Sequence, residues 1–229
     1  PIGLIFLKFQ PFKTMFKRVQ KCVILVFSFV LIFQSLTLEA QSDKSLFEKV
    51  NRSMSFQDKV WAVQNIKSVK KALSISDRVM NIMDSLYKSG LFETNVEGSR
   101  YDAFRHVFWM YSLACEIGIP KSRRIGLIYE NYNQYVFETT PLSGYDFAGR
   151  EMDEYNNEVG LNLFSRMGKK ENSIVFDSIS SLISKGCAKI IAKDKSQRSL
   201  DREGRVICDS VWKSQWNNDR YLINSNVEL

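Results

Sequence analysis

One histidine, four cysteines and four prolines are all that 229 residues hold of three residue types that often organise a site or a fold. The single histidine is His106, and no Cys-x-x-Cys occurs. Both facts speak against a structural zinc site, which takes several thiolate or imidazole ligands. No Gly-x-Ser-x-Gly is present, so a serine nucleophile on a strained elbow has no support. There is no internal repeat and no low-complexity tract. The longest apolar run, Cys22 to Phe33, has twelve residues including one serine, short for a membrane span. Charge of one sign is also modest. The formal +7 includes five Lys/Arg and one Glu within residues 1–40; without them 27 basic and 24 acidic residues leave +3. Such a balance calls for neither nucleic acid nor an anionic membrane as partner.

The first forty residues read as a leader. The chain opens on a proline, so Met15 is taken as the initiator and the residues before it as an over-extended start. Lys17, Arg18 and Lys21 precede the apolar run, and Leu38-Glu39-Ala40 precedes Gln41. This is the order of a secretory signal peptide. The alternative is an uncleaved N-terminal anchor. A lipoprotein is disfavoured, because Gln20-Lys21 before Cys22 is no lipobox. A secreted or periplasmic location is therefore expected, with no stable span after cleavage.

The remainder predicts an all-α fold: a single irregular helical domain, with at most a small two-stranded β element near the C-terminus. Residues 41–98 supply N-terminal helices, with one or two over 44–72 and another starting at Ser74-Ile75-Ser76-Asp77 and ended by Gly90. Residues 99–186 form the helical core. One helix runs from about Ser99 to Ile117, where Gly118 stops it and Pro120 opens the next near its N1 position. Another ends at Gly168, and Asn172 is placed to cap a last one ended by Gly186. Residues 187–229 are a C-terminal β/loop region and tail. Its strands are expected over 187–192 and 205–208, with a short helix or tail around Trp212 and Trp216. Cys115 lies on an apolar helical face and reads as a buried thiol. Cys187 and Cys208 flank a polar segment and either pair in an oxidising compartment or stay free.

The chemistry concentrates in Asp102-Ala103-Phe104-Arg105-His106-Val107-Phe108-Trp109. Asp102, Arg105, His106 and Trp109 stand at i, i+3, i+4 and i+7, one stripe of a helix. The other positions are apolar almost all round, so the helix should be buried. Its polar stripe must then line a cleft or join a paired network. Asp153, Asn156, Asn157 and Gly160 repeat the spacing. Gly160 weakens its helix by about 1 kcal/mol against Ala, which suggests close approach of another element, with Trp109 as the proposed neighbour. Between the stripes another helix carries Glu130.

Together, D-A-x-R-H-x-x-W, Glu130 and Met152-Asp153-Glu154-Tyr155-Asn156-Asn157-Glu158-Val159-Gly160 resemble an uncharacterised bacterial helical domain family. That family occurs in secreted proteins and at the ends of toxin-like proteins. The resemblance covers about the middle third of the chain and implies a site rather than a reaction. In the family a His-Glu pair stands where this chain has Tyr129-Glu130, which removes a candidate ligand or base. The toxin-like setting implies an immunity-type protein as a partner. A secreted phospholipase A2 helix is also faintly similar, but Val107 stands where that enzyme needs aspartate directly after histidine.

Seven residues form the candidate site. His106 is the natural general acid/base. Asp102 or Asp153 can fix its tautomer, and Arg105 can hold an anion or a developing oxyanion. Glu130 and Asp153 can transfer protons, and Asn156 and Asn157 can orient a water or a substrate carbonyl. Asp102, Glu130, Asp153 and His106 would suit an oxygen-preferring cation better than zinc; no metal or other cofactor is assigned. Two functions follow. One is a hydrolase acting on a small-molecule or polymer substrate. The other is a non-catalytic binding or structural domain whose polar cluster fixes helix register.

Overall fold

The computed structural model describes residues 52–228, which belong to one compact unit. The signal-peptide reading, and the part of the 44–72 reading before residue 52, lie outside the described residues.

Helix α1 (Phe56–Gln64) is capped by Ser55, whose Oγ accepts the Asp58 N–H at 3.1 Å. After Asn65 the chain enters α2 (Ile66–Lys88). Val69, Ala72, Ile75, Val79 and Met83 recur every three to four residues and bury one stripe of α2. The start expected at Ser74 does not occur; α2 runs straight through it. Ser76 is not a cap: its Oγ folds back onto the Ala72 carbonyl at 2.9 Å and accepts the Trp109 indole N–H at 2.9 Å.

Helix α3 (Arg100–Ile117) is the centre of the domain and packs against its neighbours on every side. Gly118, at φ +80°, ends it. Helix α4 (Ile119–Thr139) begins with Pro120 in its first turn, as the sequence predicts. Helix α5 (Phe147–Met167) is capped by Asp146, whose Oδ1 accepts the Gly149 N–H at 2.8 Å. Gly168 closes it. Helix α6 (Asn172–Ser184) has Glu171, not Asn172, at its N-cap position, without a side-chain capping bond; Asn172 is its first helical residue. The core joins α2, α3, α5 and α6 through Met83, Phe104, Val107, Met110, Leu161 and Ile179.

Gly160 lets α5 press onto α3, but not at Trp109. A Cβ there would lie 2.3 Å from the Val107 carbonyl oxygen and 3.0 Å from Met110 Cβ. The obstacle is backbone, which cannot swing aside as a flexible side chain would. Trp109 points elsewhere, toward α2.

Beyond α6 the chain forms β1 (Lys189–Ile191), α7 (Asp209–Trp212) and β2 (Leu222–Asn224). The strands pair antiparallel, Lys189 with Asn224 and Ile191 with Leu222. The all-α class with a small two-stranded sheet therefore holds, but the second strand is not 205–208. That stretch contributes one isolated bridge, Leu200 to Val206. Asp201 is the reason: its Oδ1 accepts the N–H groups of Glu203 (3.0 Å) and Arg205 (2.8 Å), turning the chain locally. With β1 paired to β2, Cys187 and Cys208 are not carried to opposite positions of a hairpin. Among the described residues both are exposed and free, and Cys115 is half-buried and free. Among the described residues no helix is long and apolar enough to cross a membrane.

Candidate functional site

The N-terminal turn of α3 is built around one carboxylate. Gly98, at φ +75°, adopts a backbone conformation that side chains rarely tolerate. This brings its N–H within 2.8 Å of Asp102 Oδ2. Asp102 Oδ1 takes the Arg105 guanidinium, with Nε at 3.0 Å and Nη2 closer still. Asp102 is 2 % exposed. Burial alone would raise its pKa, but Arg105 and the Gly98 N–H outweigh it and hold the carboxyl below its usual range.

His106 lies one turn on and is 1 % exposed. Its Nδ1 is 3.1 Å from Asn157 Oδ1. A carbonyl oxygen only accepts, so Nδ1 carries the proton. The Nε2 lone pair then receives Arg105 Nη2 at 3.0 Å and faces Asp153 Oδ1 at 3.1 Å. The Arg105 N–H takes that one lone pair, so it cannot also accept from Asp153, whose Oδ1 has no hydrogen-bond partner among the described residues. A bare carboxylate there would be repelled, which favours a neutral Asp153. The electrostatics agree. Burial, then Arg105, pushes the imidazole down to about 4. Burial, then Glu130 and Asp102, pushes Asp153 well above the ordinary carboxyl range. Trp109 packs edge-on against the imidazole, with centroids 6.2 Å apart.

In front of this cluster lies a cavity of about 370 Å³. Asp102, Arg105 and Asp153 line it; His106 does not, and stands behind them. From α4, Glu130 and Asn133 reach the same cavity. Glu130 is wholly buried, and Asn133 Nδ2 donates to its Oε2 at 3.1 Å. Among the described residues Glu130 Oε1, Asn133 Oδ1 and Asp153 Oδ1 have no hydrogen-bond partner. Desolvation raises the Glu130 pKa to about 8, with Asn133 opposing. This carboxyl holds a proton at neutral pH, and Oε1 is the oxygen left free to carry it.

Six of the seven residues singled out from the sequence thus meet: Asp102, Arg105, His106, Glu130, Asp153 and Asn157. The structure does not bring Asn156 there. Its Oδ1 accepts the Lys189 N–H and its Nδ2 donates to the Lys189 carbonyl, each at 2.9 Å. It clamps β1 to α5. A cation site is geometrically conceivable, since Asp102, His106 and Asp153 each offer an atom within 4.8 Å of the others. The Arg105 guanidinium, bonded to both Asp102 and His106, already occupies the position a cation would need.

Several cavity residues escaped the sequence reading. Tyr101, Tyr129, Tyr145 and Glu97 line it too, and desolvation raises the Glu97 carboxyl to about 7. Asp146, the cap of α5, is also bound by Asn218 Nδ2 (2.8 Å) and Arg220 Nη1 (3.1 Å). Arg220 in turn stacks 3.8 Å from the Trp212 ring centroid. Nothing in the local pattern of 209–220 signals this.

Fold and site define an all-α domain with a buried histidine behind an Asp-Arg-Asp cluster that lines a polar cavity. The chain belongs to the family described as Domain of unknown function (DUF6973), whose model matches residues 59–187. No curated protein and no solved structure matches it.

Proposed function

We propose that this domain is a hydrolase in which Glu130 is the general acid and Asp153 the general base. The observation that carries this reading is a pair of carboxyl groups, both biased toward the protonated form, in the wall of one cavity. Pairs of titratable groups with displaced pKa values are how one site runs acid and base chemistry near neutrality. Glu130 Oε1–H gives its proton to the leaving atom as the scissile bond breaks. Asp153 first releases its proton to cavity water, with the Arg105 guanidinium favouring the anion; the carboxylate then takes a proton from the attacking water, whose oxygen forms the new bond. The proton returns from Asp153 to Glu130 through cavity water, and the net reaction adds one water across the bond. His106 acts through Asp153 and is a positioning residue here, since it does not touch the cavity.

A panel of chromogenic ester, amide and glycoside substrates tests the proposal. With any substrate that turns over, Glu130→Gln and Asp153→Asn should each lower kcat by about 10²–10⁴-fold, the usual worth of general acid–base catalysis. In the wild type kcat/KM should fall as pH rises through about 8, where Glu130 loses its proton. Unchanged turnover in Glu130→Gln would sink the assignment.

One observation favours the second reading, a non-catalytic domain whose polar network fixes helix register: His106 is sealed from solvent. We also propose a secreted or periplasmic site of action, supported by Lys17, Arg18 and Lys21 ahead of the apolar run from Cys22 to Phe33. N-terminal sequencing of exported protein should then start near Gln41. In a toxin-like setting an immunity-type protein would be the partner.

A further inference from the structure

We propose that the cavity takes an uncharged, hydroxyl-rich ligand, of which a neutral saccharide is the natural class. The inference deepens the hydrolase reading by naming its substrate class.

An anionic ligand lacks a counterion. The two cations in the wall are engaged by the protein itself. Arg105 is bonded to Asp102 and His106. Arg150 gives Nε to Glu154 (2.8 Å), Nη1 to Gln134 (2.8 Å) and Nη2 to Asn131 (3.2 Å). A cationic ligand fares no better inside. Asp102 is paired with Arg105, and Asp146 with Arg220. Glu130 holds a proton at neutral pH, and burial biases Asp153 toward its neutral form. Asp84 is exposed, where water and salt weaken its pull, and desolvation followed by Asp102 raises Glu97 to about 7, so it carries only part of a charge at neutral pH.

What the wall does leave unmet is hydrogen bonding. Glu130 Oε1 and Asn133 Oδ1 are buried, belong to cavity-lining residues and lack partners among the described residues. Buried polar atoms are rarely left so, because each unmet group costs free energy. A protonated carboxyl oxygen and an amide carbonyl suit a hydroxyl group, which both accepts and donates. Tyr101, Tyr129 and Tyr145 add aromatic surface to the lining. A volume of about 370 Å³ lies within the range of small-molecule sites.

The test uses the intact protein at pH 7 and three tetrasaccharides of matched size, with binding read by calorimetry. These are an N-acetylglucosamine tetramer (neutral), a glucosamine tetramer (cationic) and a galacturonate tetramer (anionic). The neutral tetramer should bind at least about tenfold more tightly than either charged one. Glu130→Gln should keep that affinity, because a carboxamide mimics a neutral carboxyl. Asn133→Ala should weaken it about tenfold. Asn95→Ala, on the exposed part of the lining, supplies a second variant that leaves packing intact and should also weaken binding. Tighter binding of a charged tetramer, no binding of the neutral one, or unchanged affinity in both asparagine variants would overturn the proposal. Binding of the neutral tetramer without any turnover sinks the hydrolase and leaves the ligand class standing. Turnover of a charged substrate, with no neutral binding, does the reverse.

Discussion

Arg105→Ala is expected to cost the domain about 3–5 kcal/mol, the largest loss of any polar substitution in the cluster. The variant strands Asp102, which is buried on α3 with only the Gly98 N–H left as a strong partner. A buried carboxylate without its cation either takes up a proton or forces water into the core, and both are unfavourable. His106→Ala removes a ring that is 1 % exposed. It leaves a void and frees Asn157 Oδ1, so about 2–4 kcal/mol should go. Thermal melts of the two variants check the order. A smaller loss in Arg105→Ala would mean that Asp102 does not depend on the guanidinium. Because the imidazole is sealed, a low melting temperature for His106→Ala does not distinguish positioning from pure structure. The pH profile of turnover in His106→Asn does, since a purely structural ring would leave the Asp153 limb in place.

The second large effect is on stability against pH, and it opposes the usual behaviour of carboxyl groups. Glu130 has a folded pKa raised from 4.5 to about 8, so the folded state binds the proton that the unfolded chain releases. This group alone makes stability fall as pH rises through that window. His106 runs the other way. Its folded pKa is lowered from 6.5 to about 4, so stability is lost as pH falls from 6.5 toward 4. Between pH 4.5 and 6.5 the two contributions cancel. Between 6.5 and 8 Glu130 acts without that opposition and costs about 2 kcal/mol, at 1.36 kcal/mol per pH unit. Asp153, also raised, adds to the fall. Glu130→Gln should therefore melt close to wild type at pH 4.5 and clearly above it at pH 8. Denaturant titrations at pH 4.5, 6.5 and 8 give the comparison. Parallel curves for the two proteins would show that Glu130 is ionised in the folded state.

Much of this site is legible in the sequence because it is local. Asp102, Arg105 and His106 fall on one helical stripe, and their neighbours are apolar on every side, so burial with mutual pairing follows from spacing alone. Gly118 and Pro120 mark the α3–α4 junction by backbone chemistry that needs no tertiary context. What was not legible depended on partners distant along the chain. Asn156 and Asn157 are adjacent, and adjacent helical positions point about 100° apart. Only the fold decides which faces His106 and which faces β1. Gly160 announces a close contact without naming it, and the contact is the Val107 backbone rather than Trp109. The partner of β1 is 222–224 because Asp201 turns the nearer candidate back on itself, a side-chain effect that alternation of hydrophobicity does not encode. Glu97 sits in a loop with no period to read.

The segment beyond the family match has a consequence for where this protein can be divided. Residue 187 ends the matched region, yet Ile191 N–H donates to the Gly98 carbonyl at 2.9 Å, at the loop that presents its amide to Asp102. Lys189 satisfies Asn156, Arg220 and Asn218 satisfy Asp146, and Phe147 N–H donates to the Trp216 carbonyl at 2.9 Å. These contacts join the tail to both helices that carry the cluster. The recurrent unit of sequence is thus smaller than the cooperative unit of folding. A fragment cut at the family boundary would retain every residue of the site and lose the frame that holds them in register.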